Sequence, residues 1–349
     1  MLGSVSHLVA APDKFRGTAT APAIAAAAAG AARAAGWAAD EVPMADGGEG
    51  MLEAVQGDVR HTSVDGPLGA PVLAEWRMMN AANGPGPTAV LESAQAVGRS
   101  LLPSPTGDDP VRATTAGVGQ LILAAVDAGA RRVVVGVGGT ATTDGGSGAV
   151  EVIGTADRLG DAELVVACDV VTPFRRAAEV FGPQKGATPD QVALLTARLD
   201  DLSHRYRLRF GVDVGQIGGA GAAGGLAGGL AALGARLVPG FDLVADLVGL
   251  EAHLAQADLV VTGEGHLDAP SFEGKVVGGV IRMVAGRVPV LCVVGGADPA
   301  VAANPPVVNG SIEVVSLSAR FGAERARRET TALVAQVVAE SLAAGVPGG

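Results

Sequence analysis

The chain has 349 residues, room for about two domains at roughly 100–200 residues each. Nearly half of it is apolar (48%) but only 3% is aromatic, so Ala, Val, Leu and Gly must build the core, and a base-stacking surface is disfavoured. A formal net charge of −11 argues against non-specific binding to nucleic acid or an anionic membrane, while leaving room for a local cationic phosphate site.

Cys168 and Cys292 each follow an apolar run and read as buried free thiols of a reducing compartment. The opening MLGSVSHLVAAPD has no charged segment followed by an apolar one, so no signal peptide is expected. The Ala-rich stretch 19–39 carries Pro22, Arg33 and two glycines, which suits a soluble helix rather than a membrane span. The expected location is cytoplasmic.

In chain order, a strand is expected at His7–Ala11 and a helix at Thr20–Ala35. Segment 64–110 is rich in Pro, Gly and polar turns (DGPLGAP, NGPGP, LLPSPTGDDP), with strand-like pieces at Val72–Met79 and Thr88–Glu92. It reads as the start of a second, more irregular domain. GVGQLILAAVDA (Gly117–Ala128) is a helix to be capped by Thr114 or Thr115. Strands follow at Arg132–Val137 and Glu163–Ala167, then a helix at Ala187–Leu202 that opens on Thr-Pro. In 215–237, the spacing of Leu226, Leu230 and Leu233 predicts a closely packed helix after a glycine turn. Strands at Asp258–Thr262, Val288–Val294 and Glu313–Leu317 and a helix at Ala323–Ala344 complete the chain. Continuous apolar strands alternating with helices imply parallel sheets buried on both faces, an α/β fold. Ligands then sit beyond the carboxyl ends of the strands.

Three loops pack glycines around carboxylates: ADGGEG (45–50), GGTATTDGGSG (138–148) and TGEGHLD (262–268). Glycine lets backbone approach a ligand closely, and bare N–H groups make anion-binding concavities. Asp46, Glu49, Asp144, Glu264 and Asp268 could hold a metal ion or take a proton. Amides for phosphate beside acids for Mg²⁺ is the chemistry of phosphoryl transfer. Gly47, Gly48, Gly138, Gly139, Thr140, Gly145 and Gly146 are the candidate phosphate cradle. In APDKFRGT, Asp13, Lys14 and Arg16 lie where the first strand runs into the first helix, which would set the two cations at phosphate or carboxylate groups. Lys185, in FGPQKG, and Lys275 are further candidate cations, though Lys185 by itself would suit a solvated loop.

Other chemistries fit poorly. Gly274–Lys275 lacks the rest of a P-loop, and GGSGA at 145–149 fails the nucleophile elbow. The five histidines show no zinc spacing. GVGGTA at 136–141 fits a dinucleotide fingerprint, but the glycine-rich TTDGGSG after it is a poor helix start.

Taken together and in order, AAPDxFxG (10–17), MADGGEG, GPLG (66–69), TTxGxG (114–119), GxGGxATxDGGxG (136–148), VACDV (166–170), VFGPQKGATP (180–189), GAGAAGGL (219–226) and DLVxTGEGxLD (258–268) resemble the bacterial glycerate kinases that lack a P-loop. The resemblance extends to about residue 296. It implies ATP-dependent phosphorylation of D-glycerate, usually to 2-phosphoglycerate. It also implies a flavodoxin-like α/β domain interleaved with a smaller mixed α/β domain of restriction-enzyme type, with a cleft between them that excludes water on closing. The expected partition is 1–63, 112–150 and 250–349 against 64–111 and 151–249. The cofactors would be ATP and Mg²⁺, and the protein a monomer or homodimer. Asp46 or Asp144 would be general base or metal ligand, with Lys14 and Arg16 beside the reacting groups. Glu49, Glu264 and Asp268 would meet Mg²⁺ or ribose.

The sequence departs from the family pattern at DKFRGT, where DSFKGS is usual, and at His266, where Arg precedes Leu-Asp. CDVVTP replaces CDVTNP, and the connection 149–162 is short. Such changes leave two alternatives: phosphorylation of another small hydroxy acid or polyol, or a non-catalytic nucleotide or metabolite sensor.

Overall fold

Strands that are apolar along their whole length need cover on both faces, and this chain supplies it in two separate sheets. The computed structural model describes residues 5–80, 86–303 and 311–345. Part of the NGPGP turn expected at 83–87 lies outside them. The chain divides into two compact units, Met1–Asp46 with Glu53–Val55 and Gly240–Gly349, and Gly47–Leu52 with Gln56–Pro239.

The first unit holds a five-stranded parallel sheet. Its spatial order is Ile312–Ser316, Val290–Val294, Leu259–Thr262, His7–Ala10, Ala38–Glu41. Counted within the unit from its far edge this is the order 2-1-3-4-5, the flavodoxin-like arrangement whose switch point falls between the first and third strands. LVVT and VLCVV are buried at every position. The helix Ala21–Ala34 begins where the Thr20 hydroxyl accepts from the N–H of Ala23, with proline in its first turn. Its buried Ala25, Ala28 and Ala32 share a core with Leu333, Val334 and Val337 of the helix Thr330–Ala344. The single helix expected over 323–344 is broken at Glu329 into Ala323–Arg328 and Thr330–Ala344.

The second unit holds a six-stranded mixed sheet in the order Asp58–Asp65, Pro71–Met79, Thr88–Glu92, Arg132–Gly136, Glu163–Ala167, Arg236–Val238. The first strand pairs antiparallel with the second and the second with the third, while the last four are mutually parallel. GPLG turns the first hairpin, with Gly66 donating to the Ala70 carbonyl at 2.7 Å. The expected partition is corrected here. Arg132–Gly136 lies between Thr88–Glu92 and Glu163–Ala167, so 112–150 belongs with the second unit, as do 47–52 and 56–63, while 240–249 belongs with the first. The second unit is also the larger of the two.

The helix expected at Ala187–Leu202 runs Pro189–Phe210, opened by a capping box between Thr188 and Gln191 and stopped by Gly211 in the left-handed region. The glycine-rich stretch 215–237 is no linker. Gly225 turns it into Leu226–Ala232, a helix buried at every residue.

Candidate functional site

The switch point of the first unit collects its candidate acids. After the first strand the backbone keeps pairing: Asp13 donates to the Gly263 carbonyl at 2.8 Å, and Met44 to the Pro12 carbonyl at 2.9 Å. These contacts draw together the loops that carry Asp13, Asp46 and Glu264. Burial, reinforced by the charge of Asp46, pushes the Asp13 carboxyl up to about 6, against the pull of Lys14 and Arg16. Burial also raises Glu264, to about 7, aided by Asp13 and Asp268 and opposed by the Ser271 hydroxyl and Lys275. Its Oε1 is buried without a hydrogen-bond partner. Asp268 shapes the backbone. Its Oδ1 accepts from the Ser271 N–H at 3.0 Å and the Ser271 hydroxyl at 2.9 Å, opening the turn Ala269–Phe272. Burial opposes ionisation of Asp268, but Ser271, Lys275 and His266 hold its carboxyl low.

Mg²⁺ favours hard oxygen ligands and commonly takes only one or two carboxylates besides phosphate oxygens. Among the described residues no group of three His, Cys, Asp or Glu side chains could hold a metal by itself. The unpartnered Oε1 of Glu264, electrostatically coupled to Asp13, fits the smaller requirement.

Beside these acids is a cavity of about 290 Å³ at the carboxyl ends of four parallel strands. Arg16, His266, Gly295 and Ser318, each from the loop or helix after one strand, contribute to its lining, and Arg327 closes it from the helix Ala323–Arg328. His266 Nε2 meets Asp298 Oδ1 at 3.1 Å, and both side chains are more than half exposed.

In the second unit the loop 138–148 is organised by Asp144. Its Oδ2 accepts from the Thr115 N–H and the Thr115 hydroxyl, each at 2.8 Å, and from the Gly148 N–H at 3.1 Å. Its Oδ1 accepts from the Gly146 N–H at 3.0 Å. Thr115 precedes the helix Ala116–Asp127 but makes no side-chain cap there; its hydroxyl donates to Asp144 instead. Gly145 and Gly146 both adopt positive φ, 66° and 76°, and the side chain of Leu202 and the backbone of Gly229 fill the space a Cβ would need. Both oxygens of Asp144 thus hold the loop to the fold.

Lys185 is not solvated. It is buried, and its ammonium donates to the Thr142 carbonyl and, at 3.3 Å, to the Thr140 hydroxyl. Burial pushes it down to about 7, with Asp144 opposing and Arg99 reinforcing the shift. The Thr142 hydroxyl is buried without a partner. Gly47 and Gly48 pack against Gly136 and Gly138, and the Glu49 carboxylate lies over Gly139, where only a glycine leaves space. Glu92 anchors this arrangement: its buried Oε1 accepts from the N–H groups of Gly50 and Leu52 at 2.8 and 2.9 Å. Sequence reading passes over Glu92, Thr115 and Arg327 as site residues. The TTxGxG motif signals Thr115, and an acid ending the buried run TAVL signals Glu92. Nothing in ERARR distinguishes Arg327.

The model of the glycerate kinase family matches residues 8–158 and 149–344. A glycerate 2-kinase of Escherichia coli K12 is 38% identical over 278 residues, covering 69% of this chain and 72% of that one. A glycerate kinase of Bacillus subtilis 168 is 38% identical over 292 residues, covering 73% and 75%. A solved structure from Salmonella typhimurium LT2, described as a candidate glycerate kinase 2, superimposes with a TM-score of 0.79 at 33% identity, over 98% of this chain and 99% of that one.

Proposed function

The chain belongs to the glycerate kinase family, and on that premise we propose that it transfers the γ-phosphoryl group of ATP to D-glycerate. The E. coli relative's name, glycerate 2-kinase, favours 2-phosphoglycerate as the product. The observation that carries the reading is the pair Asp13 and Glu264. Two carboxyls raised into the neutral range stand at the switch point of a flavodoxin-like sheet, with Lys14, Arg16 and Lys275 acting on them.

Asp46, on the loop that joins this cluster, is the better candidate than Asp144 for taking the acceptor's proton, because Asp144 is committed to Thr115. Asp13, near neutrality, is suited to the same role. Glu264 would hold Mg²⁺, with Asp13 or Asp46 as second carboxylate. When bound, the ion would neutralise charge on the transferring phosphoryl oxygens. Lys14 and Lys275 would meet phosphate. In the second unit Gly138–Gly146, with Thr140 and Lys185, supplies amide and hydroxyl donors of the kind that cradle phosphate.

Among the described residues no helix is long and apolar enough to cross a membrane. The test is ADP release from ATP and Mg²⁺ with millimolar D-glycerate, the product isomer being identified by NMR. Turnover that does not depend on D-glycerate would sink the reading. One feature favours a different small hydroxy acid or polyol as acceptor: His266, already paired with Asp298, is a weaker carboxylate partner than an arginine. A substrate panel decides between the two.

A further inference from the structure

We propose that the cavity lined by Arg16, His266, Ser318 and Arg327 is an oxyanion site that seats the carboxylate of the small acid acceptor, with Arg327 as a binding residue. The proposal rests on the kinase reading above and names the acceptor's place within it.

Position is the first argument. The cavity lies where an α/β sheet presents its ligands, and four successive parallel strands each send it a residue or the loop that follows. Charge is the second. Arg325 and Arg328, on either side of Arg327, are each paired with Glu329, and Arg328 also with Glu324. Among the described residues Arg327 has no such partner and makes no side-chain hydrogen bond, and Arg16 is likewise without an ion pair. Two guanidinium groups from different elements therefore face one concave space with a serine hydroxyl, and planar guanidinium groups match a carboxylate's two oxygens. His266 adds little, because Asp298 already meets its Nε2.

Size is the third argument. About 290 Å³ lies just under the roughly 300–1,000 Å³ typical of pockets for drug-sized ligands. That space suits a three-carbon acid with some water and is small for a nucleoside triphosphate. Finally, the two loops that bring Arg16 and His266 also bring Asp13 and Glu264. An acid held by its carboxylate on the arginines would thus keep its hydroxyls near the carboxyls assigned to proton and metal.

The experiment uses the full-length chain and two variants on different elements, Arg327→Gln and Arg16→Gln. Steady-state constants for D-glycerate and ATP are measured, along with calorimetric titrations of D-glycerate, L-lactate and inorganic phosphate without nucleotide. Losing a charge-assisted hydrogen bond should raise KM for D-glycerate about 10- to 100-fold in each variant and leave KM for ATP within about twofold. The binding heat of D-glycerate should disappear in both. A rise in KM for ATP with that for D-glycerate unchanged would assign the cavity to the nucleotide and overturn the proposal, as would wild-type constants in both variants. If the wild-type chain turns over no D-glycerate, the kinase reading fails separately. The cavity then stands if either carboxylate binds and both variants abolish that binding, and falls if no carboxylate binds at all.

Discussion

Asp144 accepts from Thr115 twice, through the backbone N–H and through the hydroxyl, each at 2.8 Å, and so fastens the glycine loop 138–148 to the start of the helix Ala116–Asp127. Two further N–H groups of its own loop and, at 3.5 Å, the Thr114 hydroxyl complete the set. Asp144→Ala leaves these donors without an acceptor in a half-buried place, which should lower stability by about 2–4 kcal/mol. Denaturant unfolding measures this, with Asp144→Asn falling between because it keeps one acceptor oxygen. A variant of wild-type stability with turnover abolished would return Asp144 to the role of a working acid.

Lys185 presents the reverse situation, a charge held inside the fold by a carbonyl and a hydroxyl. Its folded pKa is depressed to about 7 from 10.5. Below about 7 it is charged in both folded and unfolded states, so the fold bears the full burden of burying the ammonium. Between those two values only the unfolded chain binds the proton, so stability rises with pH. Lys185→Met removes the buried charge along with its hydrogen bonds. The Tm of the variant minus that of the wild type should therefore be most positive near pH 6 and fall steadily toward pH 10. A difference independent of pH would mean the lysine is not buried as a cation.

Glu264 carries the opposite sign. Its carboxyl titrates at about 7 when folded and near 4.5 when unfolded, so the fold favours the protonated form. That contribution is fully present below 4.5 and is lost as pH rises through 7. The shift corresponds to roughly 3 kcal/mol. In metal-free buffer Glu264→Gln should thus be more stable than wild type at pH 8 by that order and indistinguishable at pH 4. Magnesium at millimolar concentration should raise the Tm of the wild type at pH 8 and leave the variant unmoved. Equal shifts in both proteins would remove Glu264 from the metal site.

What could be read beforehand follows from how local each signal is. LVVT, VLCVV and RVVVG announce buried strands because no polar residue interrupts their apolar runs, and the glycines around Asp144 announce a tight loop. Which sheet takes RVVVG is decided by register with Thr88–Glu92 and Glu163–Ala167, about 40 and 30 residues away, and no local pattern carries that choice. FGPQKG looks like an exposed turn, yet the loops that hold Thr140, Thr142 and Gly224 close over Lys185. Arg327 sits in a charged helix where three neighbouring cations look alike, and only the neighbours' pairing with Glu324 and Glu329 sets it apart.

His266 allows one more test, because its pairing with Asp298 at 3.1 Å lies on the surface, where an ion pair contributes about 0–1 kcal/mol. Changing either partner should hardly move the Tm. The effect on acceptor affinity should be larger, since His266 lines the same cavity as Arg16 and Arg327. His266→Arg adds a permanent guanidinium there, and KM for D-glycerate should fall by about 3- to 10-fold. If His266→Arg lowers KM for another hydroxy acid but not for D-glycerate, the acceptor named here is the wrong one, and the cavity selects a different carboxylate.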